Sequence, residues 1–207
     1  MTNGPDSAAT GLAGTYRPAL WLPGPHLPTV WGRLGRRRDL VAYRREALET
    51  PDGDELLVDH VEPGSKAARR LVIFHGLEGS SYSTYIQGMV PLFLAAGWNV
   101  SVMNCRGCAR VPGSLDTHIP NRRPRLYHSG ETEDPGFVLR TLRAREPGPL
   151  AALGVSLGGN ALLKLLGETG REAPVDAAVS ISVPYDLGAG DRALRSLMGR
   201  QYVKSFL

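Results

Sequence analysis

The sequence predicts an α/β fold with a mostly parallel sheet flanked by helices, because strand-like runs alternate with runs of helical spacing. Short and uninterrupted apolar runs, such as residues 71–74 within RRLVIFHG, are typical of strands buried on both faces of a parallel sheet. Longer segments separate these runs. Their apolar residues recur every three or four positions, as on a helix that packs against a sheet.

The regular elements begin at about Asp39. Two strand-like runs, 40–50 and 55–63, flank the turn sequence PDGD and predict a hairpin. Later strands are expected in RRLVIFHG, NVSVMNCRG, LAALGVS and DAAVSISV, and helices in STYIQGMVPLFLAAGW, SGETEDPGFVLRTLRARE and GNALLKLLGE. The strand at 177–183 becomes an apolar edge if the sheet stops there. The final segment, 190–207, again has helical spacing, with Leu194, Leu197, Met198, Tyr202 and Phe206 as its apolar residues.

With 207 residues, the chain falls within the size range of one domain and can bury a sizeable core. Residues 1–36 are rich in proline and glycine and carry Trp21 and Trp31. Bulky aromatic rings in an irregular segment favour an arm that packs on the domain over a free linker. We therefore expect an N-terminal arm over residues 1–36 and a domain over residues 37–207.

The composition disfavours several classes of function. The formal net charge is +4 and the basic residues are scattered, so a nucleic-acid partner is not expected. The first residues lack the basic and apolar regions of a signal peptide, and no apolar run has the length of a transmembrane helix. The two cysteines fit a reducing compartment. We expect a cytoplasmic protein without a transmembrane segment, and the sequence does not indicate its oligomeric state.

The segment PLAALGVSLGGNALLKLLGETG contains the strongest catalytic signal. Gly154-Val155-Ser156-Leu157-Gly158 is a Gly-x-Ser-x-Gly motif between a buried strand and an amphipathic helix, which is the context of a nucleophile elbow. The motif alone is common by chance, but the strand and helix around it favour a catalytic interpretation. Ser156 is therefore the candidate nucleophile.

A second segment, FHGLEGSS, ends an earlier strand and can supply an oxyanion hole. Acyl transfer needs donors directed at the oxygen that becomes negatively charged. One candidate donor is the backbone N–H of Leu157, directly after the serine, and the other is the backbone N–H of Leu77. The imidazole of His75 is expected only to brace this loop.

The remaining polar residues are expected to have structural roles. CRGC at 105–108 has redox or zinc spacing, but the sequence offers no further ligands, so we expect no metal site and no cofactor. His128 precedes a helix that Ser129 is placed to cap, and a structural or substrate-facing role fits it better than a catalytic one. Asp186 follows the last strand and is expected to cap the next turn. No histidine follows Ser156 in the sequence.

Five segments together resemble the YheT-like branch of the α/β-hydrolases: HLPTVWG, HGLEGSSYSTYIQGM, GWNVSVMNCRGC, YHSGETED and GVSLGGNALLKLLGE. The resemblance is collinear from about residue 18 to the end. It implies an α/β-hydrolase fold and a serine esterase acting on short- and medium-chain acyl esters, with Ser156 as nucleophile and Leu77 and Leu157 at the oxyanion positions. Members of this branch continue further, with additional strands, cap helices and the triad Asp and His. The resemblance therefore implies a truncated chain with impaired activity, in which no position matches the acid or the base.

Three hypotheses remain, and the resemblance favours the first. The first is a serine ester hydrolase by descent whose chain is cut short, with a small acyl ester as substrate. The second is a non-catalytic binding protein of the same fold, or half of a two-chain assembly. The third is an active enzyme in which His128 or His118 reaches Ser156 from an unusual direction.

Overall fold

A computed structural model describes most of the chain: residues 19–24, 27, 31, 41–63, 69–112, 114, 116–195 and 199–200. The chain divides into two compact units, Met1–Arg36 and Arg37–Leu207. In the first unit, the rings of Trp21 and Trp31 meet edge to face with their centroids 5.1 Å apart. The packing of this arm on the domain stays a prediction.

In the described part of the second unit, six strands form one mixed sheet. The strands are β1 (Arg44–Glu49), β2 (Glu55–Val61), β3 (Arg70–Phe74), β4 (Asn99–Met103), β5 (Leu150–Val155) and β6 (Ala177–Ile181). Their order is β1-β2-β4-β3-β5-β6, and only the pairs β1–β2 and β2–β4 are antiparallel. The hairpin and the mostly parallel sheet are thus confirmed.

A helix follows each of the four parallel strands. The helices are α1 (Thr84–Ala95), α2 (Glu133–Arg145), α3 (Leu157–Thr169) and α4 (Leu187–Leu194), with a 3₁₀ turn at Gly170–Glu172. Gly97 ends α1 with φ +75°, as its position in the sequence predicts. The expected cap of α2 by Ser129 is wrong, because the Glu131 carboxylate accepts the amides of Glu133 and Asp134 instead. Within the described residues, no helix combines the length and the apolar character needed to cross a membrane.

Each face of the sheet carries its own apolar core, because successive strand residues point to opposite faces. Helix α1 covers one face, where the core includes Leu71, Ile73, Ile86, Val90, Val100, Val102 and Leu153. Helices α2 and α3 cover the other face, where the core includes Val58, Val72, Phe74, Met103, Val138, Leu139, Leu142, Leu162 and Leu165. Strand β3 contributes to both cores and is buried along its whole length, as its apolar run predicts.

Strand β6 is the last of the described strands and lies at an edge of the described sheet. Val179 of β6 is 55% exposed and Ile181 is 38% exposed, so this edge presents apolar side chains to solvent. The predicted C-terminal helix is present as α4 up to Leu194. The other apolar positions of that pattern (Leu197, Met198, Tyr202 and Phe206) lie outside the described residues.

A buried arginine connects the hairpin to the start of α2. The guanidinium of Arg106 donates two hydrogen bonds of 2.8 Å to the Asp134 carboxylate and one of 2.7 Å to Asp54. Burial alone would raise the pKa of Asp54, yet hydrogen bonds from Asn121, two backbone amides and Arg106 lower it to about 2. Arg106 and Asp54 are therefore both charged in the interior at neutral pH, and their contact holds the β1–β2 turn against the loop after β4.

We predict that Arg106→Met lowers the free energy of unfolding by about 3 kcal/mol or more, since two buried carboxylates lose their cation. Urea unfolding at pH 7 measures the change. The matched control is Arg122→Met, because the Arg122 side chain is 55% exposed in its pair with Glu55. The control should cost less than about 1 kcal/mol. Equal losses in the two variants would contradict the structural role given to Arg106.

Candidate active site

Four parallel strands end at the same edge of the sheet, and the candidate residues follow their ends. Phe74 of β3 pairs with Met103 of β4 and with Gly154 of β5, and Val155 pairs with Ile181 of β6. Ligand and catalytic sites of open α/β sheets lie outside the carboxyl ends of the strands. The sequence candidates at 75–77 and 156–157 therefore meet at the edge where a site is expected.

Ser156 occupies a strained turn between β5 and α3. Its φ is 53° and its ψ is −117°, a conformation that residues other than glycine rarely adopt. Its N–H donates to the carbonyl of Ile181 at 2.8 Å, and its carbonyl accepts from the amide of Asn160 at 3.1 Å. The hydroxyl makes no hydrogen bond to the described residues, and the side chain is partly exposed. The backbone is thus held on both sides while the hydroxyl is left free.

Two glycines let this turn form. A Cβ on Gly158 would lie 2.5 Å from the carbonyl oxygens of Phe74 and His75, and a Cβ on Gly154 would lie 2.6 Å from the carbonyl oxygen of Gly158. Real Cβ atoms do not come this close to backbone atoms, so only glycine allows α3 to begin against the end of β3. The Gly-x-Ser-x-Gly spacing is therefore required by the packing around Ser156.

The loop after β3 passes directly beside the serine. A Cβ on Gly76 would lie 3.2 Å from the Cβ of Ser156. The buried ring of His75 braces this loop, because its Nδ1 bonds the carbonyl of Gly76 at 2.7 Å and its Nε2 accepts the N–H of Cys105 at 3.0 Å. Burial lowers the pKa of His75 to about 4, so the ring is neutral. The bracing role expected for His75 agrees with these contacts.

The two candidate oxyanion donors have no competing acceptor. Among the described residues, neither the N–H of Leu77 nor the N–H of Leu157 donates a hydrogen bond to the protein. Leu157 is the first residue of α3, where an amide has no intrahelical partner. Leu77 lies in the exposed part of the loop after β3, next to the Gly76 position that contacts Ser156. Both amides are therefore free to bind an anionic oxygen.

An apolar cavity adjoins Leu157 between the ends of β3 and β4 and the start of α2. Phe74, Met103, Cys105, Tyr127 and Leu157 contribute to its wall. His128 lies on the same wall and is exposed, and its Nδ1 accepts the N–H of Gly130 at 3.1 Å. His128 and the residue after the candidate nucleophile thus share one cavity.

The other polar candidates have structural contacts. Cys105 and Cys108 are buried free thiols whose pKa values are raised by burial, so neither is a reactive thiolate. Nδ1 of His118 lies 2.9 Å from the carbonyl of Gly107. Asp186 accepts the N–H of Ala189 and caps α4, as expected.

The sequence reasoning missed three residues with central contacts here. The sequence shows Arg106 only as part of a Cys-x-x-Cys spacing, and it predicts no role for Tyr85 or Tyr127. The hydroxyl groups of Tyr85 and Tyr127 accept hydrogen bonds from the backbone amides of Gly76 and Glu78 in the loop beside Ser156. No local pattern identifies these residues, because their partners lie between 9 and 52 positions away along the chain.

A protein-family model described as alpha/beta hydrolase fold matches residues 69–202. The chain belongs to this family. The resemblance to the YheT-like branch is also confirmed, since the chain is 43% identical over 186 residues to a protein of Escherichia coli (strain K12) named "Putative esterase YheT". That match covers 88% of this chain and 52% of the relative.

A second relative is named "Phospholipase ABHD3" in Mus musculus, and it is 31% identical over 87% of this chain and 44% of its own length. The chain thus spans about half the length of these curated relatives. Among solved structures, the Pyrococcus furiosus esterase Pf2001 matches with a TM-score of 0.59 and 19% identity. That match covers 80% of this chain and 63% of the esterase chain, and it shows that the fold is shared.

We predict that Gly158→Ala lowers the free energy of unfolding by about 3 kcal/mol or more, because the new methyl group meets two backbone carbonyls that cannot move independently. The matched control is Gly167→Ala in the same helix, where a Cβ meets nothing within 4 Å. That variant should be more stable by about 0.5–1 kcal/mol, through its helix propensity. Urea unfolding checks both values, and similar effects at the two positions would contradict the close approach of α3 to β3.

We also predict a pH dependence of stability from His75. Its pKa is about 4 in the folded protein and about 6.5 in the unfolded chain, so the unfolded chain binds an extra proton between these values. The contribution, about 3 kcal/mol, is fully present above pH 6.5 and is lost as the pH falls toward 4. In urea titrations from pH 7 to 4.5, His75→Gln should be less stable at pH 7 but should lose stability less steeply. Parallel curves for the two proteins would contradict this.

Proposed function

We propose that the protein is a carboxylic ester hydrolase in which Ser156 is the nucleophile and the strained turn at residues 154–158 is a nucleophile elbow. The observation that carries the proposal is the conformation of Ser156, with φ 53° between β5 and α3 and a hydroxyl unengaged by the described residues. The names of the relatives, an esterase and a phospholipase, support ester chemistry.

In the proposed reaction, the Ser156 hydroxyl oxygen attacks the ester carbonyl carbon while a base takes the hydroxyl proton. The carbonyl oxygen becomes an oxyanion and accepts hydrogen bonds from the N–H groups of Leu77 and Leu157. The bond to the alcohol oxygen breaks, and the alcohol leaves with the proton. Water then attacks the acyl-enzyme, releases the carboxylic acid and restores the serine.

The general base is the open part of this mechanism. All five histidines precede Ser156 in the sequence, whereas the usual order of this fold places the base after the nucleophile. His75 uses both ring nitrogens for the backbone, so it is not available as a base. His128 shares a cavity with Leu157 and is therefore the candidate base within the sequence.

We propose esters with short or medium acyl chains as the substrate class. The class follows the resemblance to the YheT-like branch, because the apolar cavity beside Leu157 is only about 10 Å³ and does not by itself hold an acyl chain. A cytoplasmic location is part of the proposal and is supported by the two free thiols. The alternative is a non-catalytic protein of the same fold that binds ligands at this edge.

The test is covalent labelling of the full-length gene product with a fluorophosphonate, a reagent that phosphonylates activated serines. We expect labelling of the wild-type protein and of Ser129→Ala, and its complete loss in Ser156→Ala. Hydrolysis of p-nitrophenyl butyrate should disappear in the same variant. A folded wild-type protein that neither labels nor hydrolyses the ester would overturn the proposal and favour the binding alternative.

The same experiment assigns the base. If His128→Ala abolishes labelling while the protein stays folded, His128 is the base. If both His128→Ala and His118→Ala label like the wild type, neither of these histidines is the base. The circular dichroism spectrum and the unfolding midpoint of each variant establish that the fold is retained.

A further inference from the structure

We propose that Tyr85 and Tyr127 are positioning residues that define the oxyanion hole by accepting the two backbone amides on either side of Leu77. This inference rests on the proposed function of Ser156 and goes beyond it, because it assigns roles to two residues that do not contact the reacting atoms. Three features carry it: the pairing of the loop amides, the strain at Glu78 and the separate anchoring of the two rings.

The amides of the loop after β3 are paired on both sides of Leu77. Gly76 N–H donates to the Tyr85 hydroxyl at 2.9 Å, and Glu78 N–H donates to the Tyr127 hydroxyl at 2.7 Å. Gly79 N–H donates to the carbonyl of Gly76 at 3.0 Å. Along residues 76–79, the N–H of Leu77 is thus the one left without a protein acceptor in the described structure. The hydroxyls of Tyr85 and Tyr127 thus pair the amides of Gly76 and Glu78, and the N–H of Leu77 stays available to the substrate.

The loop conformation is strained at the residue that Tyr127 holds. Glu78 has φ 53° although it is not glycine, so the loop pays a conformational cost that other contacts must offset. Tyr127 binds Glu78 twice, since its hydroxyl accepts the backbone N–H and donates to the side-chain carboxylate at 3.0 Å. Burial raises the pKa of Tyr127, which keeps the phenol protonated and able to donate.

The two tyrosines reach the loop from opposite faces of the sheet. Tyr85 belongs to α1 and packs against the core on one face, with residues such as Ile86 and Val90. Tyr127 precedes α2 and packs against the core on the other face, with residues such as Phe74 and Val138. Each phenol is fixed by its own core, so the loop is held from two independent sides. A donor fixed in this way needs no reorganisation when the oxyanion forms.

The test compares Tyr85→Phe and Tyr127→Phe with the matched control Tyr43→Phe in the full-length protein. The Tyr43 hydroxyl also bonds the backbone, at the carbonyl of Ser81, and accepts from Gln87, but it does not contact residues 76–79. For each variant, kcat and KM are measured with p-nitrophenyl butyrate. The inhibition constant is measured with an alkyl trifluoromethyl ketone, which forms a tetrahedral adduct with an oxyanion.

We expect kcat to fall by about 10-fold to 100-fold in each of the two variants while KM stays within about 2-fold, because only the transition state uses the Leu77 donor. Affinity for the trifluoromethyl ketone should fall by the same factor as kcat. Tyr43→Phe should leave kcat and the inhibition constant unchanged. A purely structural role would instead give similar effects for all three variants in proportion to their loss of stability.

Failure of this inference can be told from failure of the proposed function. If the wild type labels at Ser156 and both variants keep the wild-type kcat and inhibition constant, the positioning role is wrong and the nucleophile stands. If the wild type neither labels nor hydrolyses the ester, both proposals fall. If Tyr85→Phe does not fold, Tyr127→Phe decides alone, because Glu78 is exposed and water can replace the lost acceptor there without unfolding the loop.

Discussion

The contact between the start of α3 and the end of β3 is the constraint on which the rest of the site depends. Gly158 lies so close to the carbonyls of Phe74 and His75 that no side chain fits between them. This approach fixes where α3 begins, and it forces the preceding residue, Ser156, into a left-handed conformation. It also brings the loop at Gly76 to the serine. One steric contact therefore sets the positions of the candidate nucleophile and of both candidate oxyanion donors.

Polar groups buried around this edge keep the surrounding loops in place. Arg106 joins the β1–β2 turn to α2 through Asp54 and Asp134, and His75 joins the loop after β3 to that after β4. Such groups are costly to bury unless every partner is satisfied. The guanidinium of Arg106 and both ring nitrogens of His75 have such partners, so these groups brace the loops at this edge. The apolar cores on the two faces then anchor the helices from which Tyr85 and the start of α2 reach the same edge.

The described residues supply the candidate nucleophile and oxyanion donors of the proposed reaction at fixed positions, but they do not fix its base. The candidate nucleophile and the two candidate amide donors follow the ends of β3 and β5, which the sheet holds rigidly, and the apolar cavity adjoins Leu157. The base does not belong to this rigid set. His75 is excluded by its two backbone contacts, and His128 lies in a segment before α2 and is exposed. Membership of the alpha/beta hydrolase family explains the presence of Ser156 and of the two amides that are unpaired in the described structure at this edge. The base is identified by the labelling experiment.

The sequence by itself determined the order of strands and helices, the hairpin and the candidate residues Ser156, Leu157 and Leu77. These are local properties: apolar periodicity, turn residues and a Gly-x-Ser-x-Gly motif each extend over fewer than twenty positions. The tertiary structure alone decided the partners of Arg106 and the roles of Tyr85 and Tyr127, because those contacts join residues far apart in the chain. It also showed that the carboxylate of Glu131, and not the hydroxyl of Ser129, accepts the first amides of α2, because only the path of the backbone decides which side chain reaches them. The physical reason is that spacing along the chain encodes which face a residue occupies, whereas pairing across the fold depends on how the elements pack.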